Sequence, residues 1–530
     1  MGIRTRRIAR LLFIVTGVAL WLVVVALALE GFAAYRYRCI DEAPDSVPPH
    51  PGWNPEPPVM RDAAQQGDTT EPVAEPEPRQ TDTTAANEST REDEEHLGTL
   101  FASLSEDDRA MYARLQEEWI ATYDRDGNNV AFYGPPEIGP RFGLDVSHVA
   151  GKHLSEIRPD ADKQDPLNIE GLLETGRPQA IPVTVQSSFG AVPLELHCFP
   201  LRDPRDADGQ GGAVVCMFRN ATGLSMTEEL ARDHDSAQDP LWRVPWLEYR
   251  RNVRLNENWH TNNVGFRDDY VALPKPPGVV RIVCVGGSTT MEGASNELTY
   301  PNILERKLRQ HFDADTIEVV NCGVGGIGSL GERKRALDYA RLEPDLVVHY
   351  NFVNDACHDL YQLWDKEATP WQRRLRKSRF LSLYCNGRLL PARSEIAAQL
   401  ERSTFRNLAL LHECVAGKNI DIAVCSFVCP DYPTLSSEER DYFERSHRLF
   451  WQGKHVTFRS YCRIVALYNE KVRYFCAERG IHYVPVAENL KGGTNYFVDI
   501  CHMHPAGIAL KAGIIFNHLK DYVAAKLAGA

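Results

Sequence analysis

The sequence predicts an α/β protein, with a doubly wound parallel sheet of five strands in its C-terminal half, a smaller α+β unit before it and an apolar helix at the N-terminus. Three observations carry this reading. From Arg281 onward, short β-branched runs alternate with amphipathic ones, the pattern of a sheet with covering helices. Between about 98 and 225 a helical stretch is followed by short strand-like runs separated by turn residues. Leu11 to Leu29 carries no charge over a length that crosses a bilayer as a helix.

A chain of 530 residues exceeds one ordinary core and divides into two or three domains with linkers. A hydrophobic content of 43% suffices for globular folding. The formal net charge of -13 argues against a general nucleic-acid binder, which needs concentrated Lys and Arg to neutralise phosphates. The thirteen cysteines lack paired CxxC spacing. Cys216, Cys284, Cys322 and Cys425 lie in apolar runs, as small buried hydrophobes do. Neither a zinc site nor a disulfide pairing follows from this pattern, and the sequence implies no cofactor. Nothing in it sets an oligomeric state.

At the N-terminus (1–40), Arg4, Arg6, Arg7 and Arg10 precede the apolar run, and Arg36 and Arg38 follow it. The positive-inside bias predicts a cytoplasmic N-terminus, a single membrane pass and extracytoplasmic domains beyond it. A cleaved signal peptide is the alternative, with Ala26-Leu27-Ala28 as its small-x-small site. Cys39 follows Arg36, Tyr37 and Arg38, which is no lipoprotein signal. Residues 41–97 are rich in Pro, Glu, Asp and Thr, too poor in apolar surface to offset chain entropy, and predict a disordered spacer.

In 98–225, "SEDDRAMYARLQEEWI" predicts a helix and "WIATYDRDGNNVAFYG" a hairpin with Gly127 in its turn. The runs "AIPVTVQSSF", "VPLELHCFPL" and "GAVVCMFRN" predict three further strands. "DRDGNN" is not a calcium loop, since Asn129 stands where an EF-hand needs glycine. The order of elements, with "YDRDGN", "GKHLSEIRP" and the closing "FRNATGL", resembles a PAS domain. That resemblance implies a small-molecule binding or sensing module, in which His148 and His153 are expected to face solvent.

After an irregular connector (226–280), residues 281–530 are expected to form the main domain. Its strands are predicted at 281–286, 316–323, 345–352, 420–428 and 481–486, with a long insertion at about 356–393 holding the aromatic and basic string "YQLWDKEATPWQRRLRKSRF". Strand ends carry polar punctuation: "GGSTT", "NCGVGG", "FVND" and, before the last helix, "DICHMHPAG". In a doubly wound sheet, loops at the carboxyl ends of the strands converge on one crevice. Ser288, Gly326, Asn354, Asp499 and His502 therefore meet in this reading. A hydroxyl, an imidazole, a carboxylate and amide donors are what acyl transfer requires. Each has a structural alternative: Ser288 as a helix cap, Asn354 as a cap or turn residue, Asp499, His502 and His504 as surface groups. A metal site from Asp499, His502 and His504 is the rival chemistry.

Over about 260–525 these four blocks resemble those of the SGNH hydrolases, the GDSL-like esterase superfamily. The resemblance implies a flavodoxin-like fold, Ser288 as nucleophile, Asp499 and His502 as its partners, and an oxyanion hole from Ser288, Gly326 and Asn354. It departs from the family in lacking the literal GDS and in carrying Phe352 where glycine is common. The expectation is a membrane-anchored, exported serine ester hydrolase acting on a small-molecule or glycan ester, such as an O-acylated carbohydrate or lipid. An O-acyltransferase on glycans and a ligand sensor with an inactive hydrolase domain are the alternatives.

Overall fold

The computed structural model describes residues 25–36, 38, 40, 104–116, 118–134, 145–157, 169–175, 179–187, 190–201, 213–220, 242–243, 248–451 and 455–529. Most of the predicted membrane span Leu11–Leu29 and the whole spacer 41–97 lie outside them. Among the described residues no helix is long and apolar enough to cross a membrane.

The N-terminal unit is an antiparallel sheet of β1 (Trp119–Asp124), β2 (Asn129–Tyr133), β3 (Gln179–Ser187), β4 (Gly190–Leu201) and β5 (Ala213–Asn220), in the order β2-β1-β5-β4-β3. Both faces of β1 are covered. Trp119, Ala121 and Tyr123 join Leu154, Ile157 and Leu172 in the unit's own core. Ile120, one residue out of phase, belongs instead to the large core of the C-terminal half, with Val215 and Met217 of β5. Period-two alternation of side chains lets one strand serve two cores. In the β1–β2 turn, Asp124 Oδ1 accepts from the amides of Asp126 (3.0 Å) and Asn128 (2.8 Å).

The C-terminal half is built on a five-stranded parallel sheet: β6 (Val280–Gly286), β7 (Ile317–Gly323), β8 (Leu346–Tyr350), β9 (Asp421–Cys425) and β10 (His482–Val484), ordered β7-β6-β8-β9-β10. Every residue of β6 and of β8 is buried, which is why both read as mainly apolar runs, broken only by Arg281 and His349. The order reverses direction at β6, so loops after β6 and β8 part on either side of a topological switch point. Helices Tyr300–Phe312 and Pro505–Gly529 pack together. Ser329–Lys334, Ala336–Arg341 and Arg406–Ala416 form a second packed group. This is the α/β architecture expected from the strand-helix alternation.

Edge strand β7 leaves amides that no neighbouring strand accepts. Two carboxylates take them, one half-buried and one buried: Glu305 Oε2 accepts from Val319 N at 2.7 Å and Asp268 Oδ2 from Asn321 N at 2.6 Å. Covering an edge in this way also blocks further strand pairing. Asp268 comes from the connector, whose residues Tyr249, Trp259, Phe266 and Val271 are buried in the same core as the sheet.

Candidate active site

The site forms where the first parallel strand stops. Gly286 and Gly287 end β6, and both positions exclude a side chain. A Cβ on Gly286 would collide with the Thr290 side chain and the Tyr350 carbonyl, and one on Gly287 would lie 2.7 Å from Asn354 Nδ2. The paired glycines are thus a packing requirement: they let a short helix, Ser288–Met291, start hard against the end of β8. Between Val280 and Gly293 every residue is buried except Ser288. The fold presents that one hydroxyl to solvent.

Ser288, His502 and Asp499 lie in one hydrogen-bonded line. The Ser288 Oγ is 2.8 Å from His502 Nε2, and His502 Nδ1 is 2.7 Å from Asp499 Oδ2. A neutral imidazole with its proton on Nδ1 satisfies both contacts, donating to the carboxylate and accepting from the hydroxyl. The second oxygen of Asp499 accepts the amides of Cys501 (2.8 Å) and His502 (2.7 Å), so the carboxylate is fixed from both sides. Burial by itself would raise the Asp499 carboxyl, but the adjacent His502 and these hydrogen bonds outweigh it and hold it below the usual carboxylate range.

Gly326 follows β7 with φ +75°, a left-handed conformation that favours glycine. Its loop is pinned through the next residue: the Ile327 carbonyl accepts from Asn351 Nδ2 at 2.7 Å and from Asn354 Nδ2 at 2.8 Å. Asn351 also donates to Glu332 at 2.8 Å, which contacts His349 at 2.8 Å. On the other side of the loop, the Tyr249 hydroxyl accepts from Gly325 N at 3.0 Å. Phe352, the departure noted in the sequence, is fully buried and stacks on Tyr468 with centroids 4.0 Å apart. It belongs to the core, and Asn354 stays beside Gly287. All five residues singled out in the sequence are therefore gathered at one sheet edge.

Four further residues shape this site and were not singled out in the sequence. Lys511 donates to the Thr289 carbonyl (2.7 Å) and to Glu292 (2.8 Å), and Glu292 accepts the Met503 amide at 2.8 Å. Arg267 donates to the carbonyls of Met291 and Gly293, each at 2.9 Å, tying down the chain just after the nucleophile helix. The Trp451 ring stands 5.5 Å from His502 and forms an aromatic wall beside the imidazole. A signal for Lys511 exists: it falls on the buried stripe Ile508, Lys511, Ala512, Ile515 of the last helix, where a lysine needs a partner.

Asp499, Cys501 and His502 also place one potential ligand atom each within 4.8 Å of one another. The metal rival read from sequence had His504 in the place of Cys501. Burial pushes the Cys501 thiol well up, which disfavours the thiolate a metal takes, and His502 Nδ1 is already engaged by the carboxylate. The donor set fits proton transfer better than metal binding.

No family model matches the sequence, and no curated protein matches it. Solved structures do. A GDSL-like lipase from Bacteroides thetaiotaomicron is 14% identical, covering 47% of this chain and 93% of its own with a TM-score of 0.29. A lipase/acylhydrolase from Enterococcus faecalis is 15% identical, covering 46% and 97% with a TM-score of 0.28. The PAS domain of an HTR-like protein from Haloarcula marismortui is 17% identical, covering 22% and 99% with a TM-score of 0.16. Likenesses of this degree carry no argument about activity, which rests on the geometry above.

Proposed function

We propose that this chain is an SGNH-type serine ester hydrolase. The observation that carries the reading is the line Ser288–His502–Asp499, with contacts of 2.8 and 2.7 Å, at the only solvent-reaching residue of the β6 turn. In the proposed mechanism His502 Nε2 takes the Ser288 proton as Oγ attacks the ester carbonyl. The carbonyl oxygen becomes an oxyanion, held by the amides of Ser288 and Gly326 and the Asn354 carboxamide. Collapse expels the alcohol, which takes the proton from His502, and leaves an acyl group on Ser288. Water, deprotonated by the same imidazole, then releases the acid and restores the serine. Asp499 keeps the imidazole oriented and stabilises it while it carries the extra proton.

The rest of the proposal places this domain outside the cytoplasm, anchored by the apolar segment Leu11–Leu29, and acting on an O-acylated carbohydrate or lipid. The five-stranded antiparallel unit, with Leu154, Ile157 and Leu172 packed against one face of its sheet, supports the reading as a PAS-like regulatory module. The test is hydrolysis of p-nitrophenyl butyrate by the full chain and by Ser288→Ala. Turnover that disappears in the variant, with an unchanged melting temperature, is expected. Equal turnover in the two proteins refutes the assignment, and transfer of the acyl group to added sugar in preference to water reassigns the chain as an acyltransferase.

A further inference from the structure

The insertion between β8 and β9 has a composition unlike the rest of the chain. From Ala368 to Ser394 it holds seven basic residues and no acidic one, in a protein of net charge -13. Five of the seven, Arg373, Arg374, Arg376, Lys377 and Arg379, lie on or between two short helices, Pro370–Leu375 and Arg379–Tyr384. Arg373, Arg374, Lys377 and Arg379 are exposed, and among the described residues none of the four is in an ion pair. Beside them, Trp371 is 65% and Tyr384 48% exposed.

This patch lies against the segment that leaves the predicted membrane span. In helical residues 25–36, Glu30 accepts from the Ser378 hydroxyl and from Arg379 N, Phe32 stacks on Tyr384 with centroids 6.0 Å apart, and Arg36 pairs with Asp441. A helix rises about 1.5 Å per residue. If Leu11–Leu29 spans the bilayer, Ser378 and Arg379 sit within about one helical turn of its boundary. Exposed Trp and Tyr interleaved with Lys and Arg suit that depth, since amphipathic rings favour the headgroup level and cations favour anionic lipids.

We infer that residues 370–388 form a second membrane contact that docks on the anionic headgroups of the bilayer holding the N-terminal anchor. The inference rests on the anchored reading. It also bears on the site, because one helical run leads from Asn354 through Asp355–Leu360 and Tyr361–Glu367, ending two residues before the patch. The catalytic domain then lies down on the membrane surface, next to where acyl chains are held.

The experiment reconstitutes the full chain into vesicles of pure phosphatidylcholine and of phosphatidylcholine with about a third phosphatidylglycerol, and follows amide exchange. Peptides covering 370–384 are expected to exchange about tenfold more slowly, or slower still, with the anionic lipid. The protection should vanish in 1 M salt, where the Debye length falls to about 3 Å. It should also vanish in R373E/R374E/K377E, whose hydrolysis of soluble p-nitrophenyl butyrate stays at the wild-type rate. Equal exchange in the two lipids overturns the inference, as does protection by soluble dextran sulfate equal to that by vesicles, which would make the patch a polyanion site. A chain that does not co-float with pure phosphatidylcholine overturns the anchor and this placement with it. One that co-floats without lipid-dependent protection overturns the docking alone.

Discussion

Lys511 and Glu292 form a fully buried ion pair, Nζ to Oε1 2.8 Å, with side chains 0% and 1% exposed. The pair bridges the carbonyl of Thr289, next to Ser288, and the amide of Met503, next to His502. The hydroxyl–imidazole contact is thus held from behind by a second link between the same two chain segments. The titratable groups against the His502 ring are Asp499 and Cys501 of its own loop, and Glu292 lies one residue further on, accepting the Met503 amide. Those facing Lys511 are Tyr300, Tyr350, Cys284 and Cys425. Removing either partner leaves one buried charge, at a cost of about 3–5 kcal/mol of stability. The predicted kinetic effect has a sign that depends on which partner is lost. Lys511→Met leaves a negative charge near the imidazole, favours its protonated form and moves the acid limb of kcat/KM to higher pH. Glu292→Gln leaves a positive charge and moves it to lower pH. The double variant should bring the limb back toward wild type. Limbs that stay in place while rates fall would reduce the pair to a packing role.

Asn354→Ala is predicted to lower kcat by about a hundredfold or more with KM little changed, the usual cost of one oxyanion donor. Gly287→Ala should reproduce this loss without deleting a donor, because its Cβ would stand 2.7 Å from Asn354 Nδ2 and push the carboxamide away. Steady-state kinetics on a chromogenic ester check both. Wild-type kcat in Asn354→Ala would leave Asn354 only as the prop of the Ile327 carbonyl.

Asp268 gives the edge strand a pH dependence. Burial pushes its carboxyl up to about 7 despite the amide hydrogen bond from Asn321. In the unfolded chain an aspartate titrates near about 3.9. Between these values the native state holds a proton that the unfolded state has lost, so this group's contribution to stability falls as pH rises from about 4 to about 7 and then levels off. The loss is on the order of 4 kcal/mol. Asp268→Asn keeps an acceptor for Asn321 N and removes the titration. The gap in melting temperature between variant and wild type should widen in the variant's favour from pH 5 to pH 8. A gap that does not change with pH would mean that the carboxyl is not protonated at pH 5 in the native state.

The parallel sheet was legible because central strands buried on both faces need continuous β-branched runs. Each of its strands lies within its predicted interval except β6, which starts one residue earlier. The predicted ends overshoot where the chain has already left the sheet: Asn351 and Phe352 fall within the predicted strand but lie beyond β8, where Asn351 pins the Ile327 carbonyl and Phe352 enters the core. The grouping of Ser288, Gly326, Asn354, Asp499 and His502 was legible from order alone, because topology fixes which ends meet. What stayed hidden depends on contacts distant in sequence. Nothing near Glu292 announces Lys511, 219 positions away. The connector's role was hidden for the same reason, since Tyr249, Arg267 and Asp268 act on Gly325, the Met291 carbonyl and Asn321.

The placement of helix Glu106–Gln116 leads to the last prediction. By sequence it opens the unit 98–225, but its buried face joins the core of the parallel sheet: Leu104, Tyr112, Ala113 and Leu115 cluster with residues of that domain. Arg114 is bidentate to Glu413 at 3.1 and 2.9 Å, Lys418 pairs with Asp108 at 2.5 Å, and Gln116 Nε2 donates to the Lys334 carbonyl at 3.0 Å. Ile120, Val215 and Met217 extend the same contact from the antiparallel sheet. A fragment beginning at about 240 therefore loses the cover over Ser329–Lys334, Ala336–Arg341 and Arg406–Ala416. At about 1.5–3 kcal/mol for each large apolar side chain removed from water, the loss of Leu104, Tyr112 and Leu115 is several kcal/mol, and the fragment should melt well below a longer fragment spanning 98–530. No residue of the proposed chemistry comes from the missing part. Below its own melting transition the shorter fragment should hydrolyse a soluble ester at the rate of the longer one. Equal melting temperatures would show that the helix contact contributes nothing, and a folded but inactive short fragment would show that the N-terminal unit is needed to complete the site.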